Sequence, residues 1–162
     1  MRRVTLCTWH TKCLVAVLLM LTPAVSWGGT QWLIYPVNIS RVYDGDTLYI
    51  NLPGLPAVFG EDLGIRLSGV DTPELRSRCK PEAAKSRERL YGQYVRDKLS
   101  EKIMEAQSIR IFNVSRGSFF RVVADVEVDG VLINQWLLDN HYAYATINGK
   151  TNADYWCDSA NY

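Results

Sequence analysis

A long helical pattern lies between two groups of alternating strands, and that order leaves few folds open. From Pro81 onward, Ala83, Arg87, Leu90, Tyr91, Tyr94, Val95, Leu99 and Ile103 recur at three- and four-residue steps, which predicts one helix with a core-facing stripe. Before it, residues 33–35 and 37–43 read as a first, irregular strand. Residues 47–52 follow, with Leu48, Ile50 and Leu52 on one side. Ile65, Leu67 and Gly69 then oppose Arg66 and Ser68 in a half-buried strand. The loop at 53–62 is longer than a tight hairpin needs. After the helix, residues 108–114 and 119–128 read as strands joined by a turn at 115–118, and Asp129-Gly130 leads into a short helix at about 132–140. These elements predict an α+β, mostly β fold: a five-stranded OB-fold Greek-key barrel with one long and one short helix packed on it. Many unrelated modules share that pattern, so it carries no function by itself.

At 162 residues and 48% hydrophobic, the chain has room for one domain. Residues 1–26 read as a signal peptide: Arg2, Arg3 and Lys12 precede an apolar run at 13–21, and small residues follow at 24–26. The run is shorter than a membrane span requires, which favours cleavage and export, secreted or periplasmic; an uncleaved anchor is the rival. The domain is then 27–162. The leader removes three of the 18 Lys and Arg but none of the 17 Asp and Glu, so 15 basic residues face 17 acidic ones, a net charge of −2. Proteins that hold nucleic acid by bulk charge are strongly basic, so any such contact here must be local or metal-assisted. The basic stretch from Arg76 to Arg89 is interrupted by Glu82 and Glu88 and reads as a solvated helix face.

Cys79 and Cys157 are the only cysteines beyond the leader. In an exported chain they read as one disulfide, with free thiols or an intermolecular bond as alternatives. His141 is the only histidine beyond the leader, and its place just after a helical pattern suits a structural role. Paired-histidine acid–base chemistry and His-rich zinc sites are thereby excluded, and chemistry falls to carboxylates and arginines. Asp44-Gly45-Asp46-Thr47 starts one strand and Asp71-Thr72-Pro73-Glu74 follows another. Each motif alone is an ordinary turn or helix entry. Together, strand-end loops that bring Asp46, Asp71 and Glu74 into one place would make an all-oxygen site suited to Ca²⁺ or Mg²⁺. Arg66 and Arg121 add what phosphodiester hydrolysis needs: forks that neutralise charge building on phosphorus oxygens.

Val42-Tyr43-Asp44-Gly45-Asp46-Thr47, the run from Ile65 to Glu74, and Arg121 resemble the staphylococcal nuclease (thermonuclease) family, from about Val42 to Tyr144. The resemblance implies a calcium-dependent hydrolase that cleaves DNA and RNA, single- or double-stranded, with little sequence preference and leaves 3′-phosphates. It assigns Asp46, Asp71 and the carbonyl of Thr72 to Ca²⁺, Glu74 to the general base, and Arg66 and Arg121 to the phosphate. Asp44 becomes an acidic neighbour of the metal rather than a ligand. No stable protein partner is implied, and a monomer is expected. Two features depart from the family. Ser118 and Phe119 stand where it has a lysine and a tyrosine that hold the terminal phosphate, and the tail after Tyr144 is too polar to copy its third helix. The alternative is a catalytically weak or inactive nucleic-acid-binding module.

Overall fold

The computed structural model describes residues 38–118 and 121–162. The expected leader, residues 33–35 and 37 of the first expected strand, and Phe119 and Phe120 lie outside the described residues. In chain order the elements are β1 (Asn38–Val42), β2 (Thr47–Asn51), α1 (Ala57–Gly60), β3 (Leu63–Leu67), β4 (Val70–Asp71) and α2 (Glu82–Met104). Then come β5 (Ile109–Arg116), β6 (Val122–Val128), β7 (Val131–Leu132), α3 (Ile133–Asp139) and β8 (Tyr144–Ala145). The fold is mixed α+β and mostly strand, as the alternation predicts.

One sheet runs in the order β1-β2-β3-β6-β5, with β7 added beside β6. It is curled, so its concave face can close over a core. Within it β3 and β6 are parallel, Ile65 facing Val122 and Arg66 facing Val123. A parallel pair needs a long crossover, and the segment containing α2 supplies it. Side chains alternate across this pair: Ile65, Leu67, Ala124, Val126 and Val128 are buried, whereas Arg66 and Val123 turn to the other face. Leu48 and Ile50 from β2, Val95 and Leu99 from α2, and Ile133 and Leu137 from α3 complete the core, all at 0% exposure. Each such side chain contributes roughly 1.5–3 kcal/mol when fully buried.

Four details differ from the sequence expectation. The sheet has six strands rather than five, and β4 and β8 form a separate two-stranded ribbon. The chain has three α-helices rather than two, because residues 57–60 close a single turn on the Pro56 carbonyl, too short to leave a periodic pattern. Gly69 does not continue its strand: with φ at 72° it turns the chain between β3 and β4. Asn134 on α3 pins that turn, its Nδ2 donating to the Ser68 carbonyl at 2.7 Å while its Oδ1 accepts from Val126 N at 3.3 Å.

The fourth difference is the phase of α2. Its buried residues are Ala84, Glu88, Gly92, Val95 and Leu99, whereas Leu90 is 62% and Tyr94 46% exposed. The first half of the expected stripe is thus misphased, and the reason is steric. A Cβ on Gly92 would lie 2.6 Å from the Pro73 carbonyl oxygen, so the helix approaches the strap after β4 at a point where only glycine fits. Small residues mark that face, and bulky ones are left outside.

The tail ends in two 3₁₀ turns, Tyr155–Cys157 and Ser159–Asn161, rather than a third long helix. A disulfide joins Cys157 to Cys79, with Cα atoms 5.4 Å apart. Trp156 is 3% exposed and packs near Tyr91 of α2, and Tyr155 stacks on Tyr144 at 4.0 Å between ring centroids. Among the described residues no helix is long and apolar enough to cross a membrane.

Candidate functional site

The turn between β1 and β2 is wound by its own backbone. Tyr43 N donates to the Thr47 carbonyl at 2.9 Å, and Asp46 N donates to Asp44 Oδ1 at 3.1 Å, a local side-chain turn of the kind aspartate favours. Gly45 at its tip has no room for a side chain, because a Cβ would lie 2.6 Å from Val95 Cγ1 and 2.8 Å from Thr72 Oγ1. This contact presses the first acidic motif against the second. Thr72 N then donates to Asp46 Oδ2 at 3.2 Å.

Arg66 joins the two motifs directly. Its Nη1 lies 2.8 Å from Asp46 Oδ1 and its Nη2 2.6 Å from Asp71 Oδ1, with the side chain 21% exposed. Asp44, Asp46, Asp71 and Thr72 are all buried. On the parallel strand, the register that sets Arg66 beside Val123 places Arg121 on the same face, with its Cγ close over Gly64. Glu74 enters from the strap, held by its backbone N–H, which donates to Glu88 Oε1 at 3.2 Å.

A cleft of ≈ 1080 Å³ results, lined by Asp44, Arg66, Asp71, Glu74 and Arg121 among others. Asp46 and Thr72 sit behind this lining, reached through Arg66 and the Asp46–Thr72 hydrogen bond. The sequence-predicted residues therefore converge, in two layers. A second hollow of ≈ 710 Å³ beside residues 53–62 holds only Glu61 and Asp62 as ionisable groups, and Asp62 is already paired with Arg41 at 3.0 Å. The predicted acidic and arginine side chains gather at the first.

Negative charge is concentrated around Arg66. Burial, reinforced by Asp44 and Asp71 and opposed by Arg66, holds the Asp46 carboxyl well above the usual range. Burial likewise raises Asp71, with a Tyr144 hydrogen bond and Arg66 working against it. Glu74 is exposed as a residue, yet the protein around its carboxyl raises its pKa, and Asp44 and Asp71 raise it further. Burial works against the Arg66 charge, but Asp46, Asp71, Asp44 and Glu74 together outweigh it and raise its pKa. Four carboxylates thus act on the one Arg66 guanidinium, and a further cation beside it would relieve that local excess. The donors are oxygens alone, which suits a hard divalent ion.

Cys79, Glu88 and Cys157 also gather potential ligand atoms within 4.8 Å of one another. The two sulfurs are bonded to each other, so neither offers the thiolate a metal would need.

Sequence reasoning missed several residues of the cleft. Burial, followed by Asp71, pushes the Tyr144 phenol up to about 12, and that phenol reaches both Asp71 and the tail at Asn152. Arg76 and Arg78 line the cleft from the strap and do not lie on the helix face, because α2 begins only at Glu82. Asn152 and Trp156 make the tail a wall. Only the strap arginines carried a sequence signal, and the late helix start would have separated them from the α2 face. His141 is structural as expected: with φ at 60° it closes α3, and its carbonyl accepts from Tyr91 Oη at 3.1 Å. No protein-family model and no curated protein matches this chain.

Proposed function

We propose that this chain is a calcium-dependent nuclease of the staphylococcal nuclease type, hydrolysing DNA and RNA phosphodiesters with little sequence preference and leaving 3′-phosphates. The observation that carries the reading is the Arg66 fork across Asp46 and Asp71, with Glu74 and Arg121 opening onto the same cleft. On this reading the curled sheet is a partly open OB-type Greek-key barrel, which the β1-β2-β3 run and the parallel β3–β6 step support.

Asp46, Asp71 and the Thr72 carbonyl would hold Ca²⁺, which when bound supplies charge to polarise a phosphodiester oxygen and lower the cost of forming the nucleophile. Glu74 takes the proton of the attacking water, whose oxygen forms the new bond to phosphorus. A carboxylate with a raised pKa is a better proton acceptor at neutral pH than an ordinary one. The bond from phosphorus to the 5′-oxygen breaks, that oxygen leaves as a hydroxyl with a proton from solvent, and the phosphate stays on the 3′ side. Arg66 and Arg121 neutralise charge on the non-bridging oxygens as it builds. Export is proposed from the residue 1–26 pattern, and the Cys79–Cys157 disulfide supports it, because such bonds persist in oxidising compartments.

One observation favours the second reading, a binding module with little catalysis: both terminal nitrogens of Arg66 are engaged by carboxylates. Substitution separates the two. On the nuclease reading, Asp71→Ala abolishes calcium binding and cleavage together. An Asp71→Ala variant that binds single-stranded DNA with the parent's affinity, where the parent never cuts it, would select the module instead.

A further inference from the structure

Glu88 is a carboxylate the mechanism does not use. It is 3% exposed on the inner face of α2, where an apolar residue would pack at less cost, since burying a charge is expensive unless its oxygens are engaged. Its two oxygens point at two different structures. Oε1 accepts the backbone N–H of Glu74 at 3.2 Å, and Oε2 lies 3.2 Å from the sulfur of Cys79. That sulfur is bonded to Cys157 and has no hydrogen to give, so the Glu74 amide is the directed bond of the pair. One helical turn on, Gly92 lets α2 touch the Pro73 carbonyl, which fixes the strap just before Glu74. Just before Glu88, Arg87 Nη2 donates to the Cys157 carbonyl at 3.2 Å. The strap has no sheet ladder between Asp71 and Glu82, so these few fastenings set where Glu74 stands.

We infer that Glu88 is a positioning residue for catalysis: its carboxylate, braced against the disulfide, holds the Glu74 backbone so that the base faces the cleft. The inference rests on the reading of Glu74 as the general base. It requires an oxygen acceptor at the end of the side chain, not merely a group that fills the space. Glu88 lines the same cleft but bonds to neither Asp46 nor Asp71, so its direct hold is on Glu74 rather than on the proposed calcium ligands.

Two variants and one amide test it. Glu88→Gln keeps an acceptor oxygen, and Glu88→Met keeps length and volume without one. In the mature protein with Ca²⁺ and single-stranded DNA, Glu88→Met lowers kcat by about 10- to 100-fold, the scale of a misplaced catalytic group, with KM and calcium affinity unchanged. Glu88→Gln stays within about threefold of the parent on the same argument. Hydrogen exchange at the Glu74 amide, followed by NMR, reads the bond without activity: slow in the parent and in Glu88→Gln, fast in Glu88→Met. A Glu74 amide that exchanges freely in the parent overturns the proposal, even where a variant does not fold. So does a folded Glu88→Met with parental kcat, or a Glu88→Gln as impaired as Glu88→Met. A parent that does not cleave at all removes the nuclease reading itself, an outcome distinct from an active parent indifferent to Glu88.

Discussion

The two walls of the cleft are built on different principles. Arg66, Arg121 and the Asp44–Asp46 turn stand on the sheet, where Leu48, Ile50, Ile65 and Leu67 behind them are at most 1% exposed. To move one of these residues, the core behind the sheet must move. Glu74, Arg76 and Arg78 stand on a strap that has no strand partner. It is fastened by the Glu88 hydrogen bond, the Gly92 contact and the Cys79–Cys157 bond. The sheet wall inherits its order from the global fold, so its geometry is hard to perturb without unfolding. The strap wall depends on single fastenings, and cutting one changes the site while the core persists. On the proposed function, the calcium ligand Asp46 and the two phosphate-binding arginines stand on the rigid wall, and the base is carried by the tethered one.

The sharpest break in this contrast comes from the reacting groups. Glu74→Gln lowers turnover by about 10²- to 10⁴-fold, the range for a lost general base, and leaves calcium affinity near parental. Arg66→Ala costs about 10²- to 10³-fold through lost charge stabilisation. Because Arg66 also pairs buried Asp46 and Asp71, the variant melts lower without calcium and recovers when calcium is added. Steady-state kinetics beside melting curves check both, and parental rates in either variant contradict the assignment.

Next in size is the tether. Its cysteines are 78 residues apart, and closing a loop of that length stabilises by about 4–5 kcal/mol on chain-entropy grounds. The variant Cys79→Ser, Cys157→Ser should therefore melt well below the parent in oxidising buffer, with loss of activity at temperatures where the sheet core is still folded. Equal melting temperatures would show that the strap needs no tether.

Gly92→Ala is a smaller probe of the same wall. Its Cβ would lie 2.6 Å from the Pro73 carbonyl, so helix or strap must shift, at about 1–3 kcal/mol. The expected signature is slower turnover with unchanged calcium affinity. A matching change at Gly45, on the seam between the walls, should weaken calcium binding as well.

The smallest effect is in pH. Asp46, Asp71 and Glu74 have folded pKa values above their usual 3.8 and 4.5. The folded chain then holds protons that the unfolded chain has lost, so these groups cost stability as pH rises from the ordinary carboxylate range through the raised values. Calcium opposes that cost by favouring the ionised forms and releasing protons on binding. The rise in melting temperature produced by calcium should therefore grow from acidic to neutral pH. A rise that shrinks over the same interval would have the sign wrong.

Much of the rigid wall was legible in the sequence. Alternation located β2, β3 and β6, and the two acidic motifs at strand ends predicted a convergence that the Arg66 fork realises. The strap wall was not legible, because its order comes from contacts without period. Gly92 and Ala84 bury the small side of α2, so reading bulky residues as the core placed Leu90 and Tyr94 inside. Glu88 looked like a solvated charge until its oxygens were seen to face Glu74 and Cys79. The tail, polar in composition, folds inward only because a disulfide and the Tyr91, Tyr144, Tyr155 and Trp156 rings hold it.

The central claim is that this cleft cuts phosphodiesters with calcium. Its most direct test is mass analysis of the fragments of a single-stranded DNA oligomer incubated with the protein, in Ca²⁺ and in excess chelator. The account predicts fragments ending in 3′-phosphate in Ca²⁺ and intact oligomer in chelator. Cleavage that persists in chelator, or an oligomer left intact in both, would contradict it.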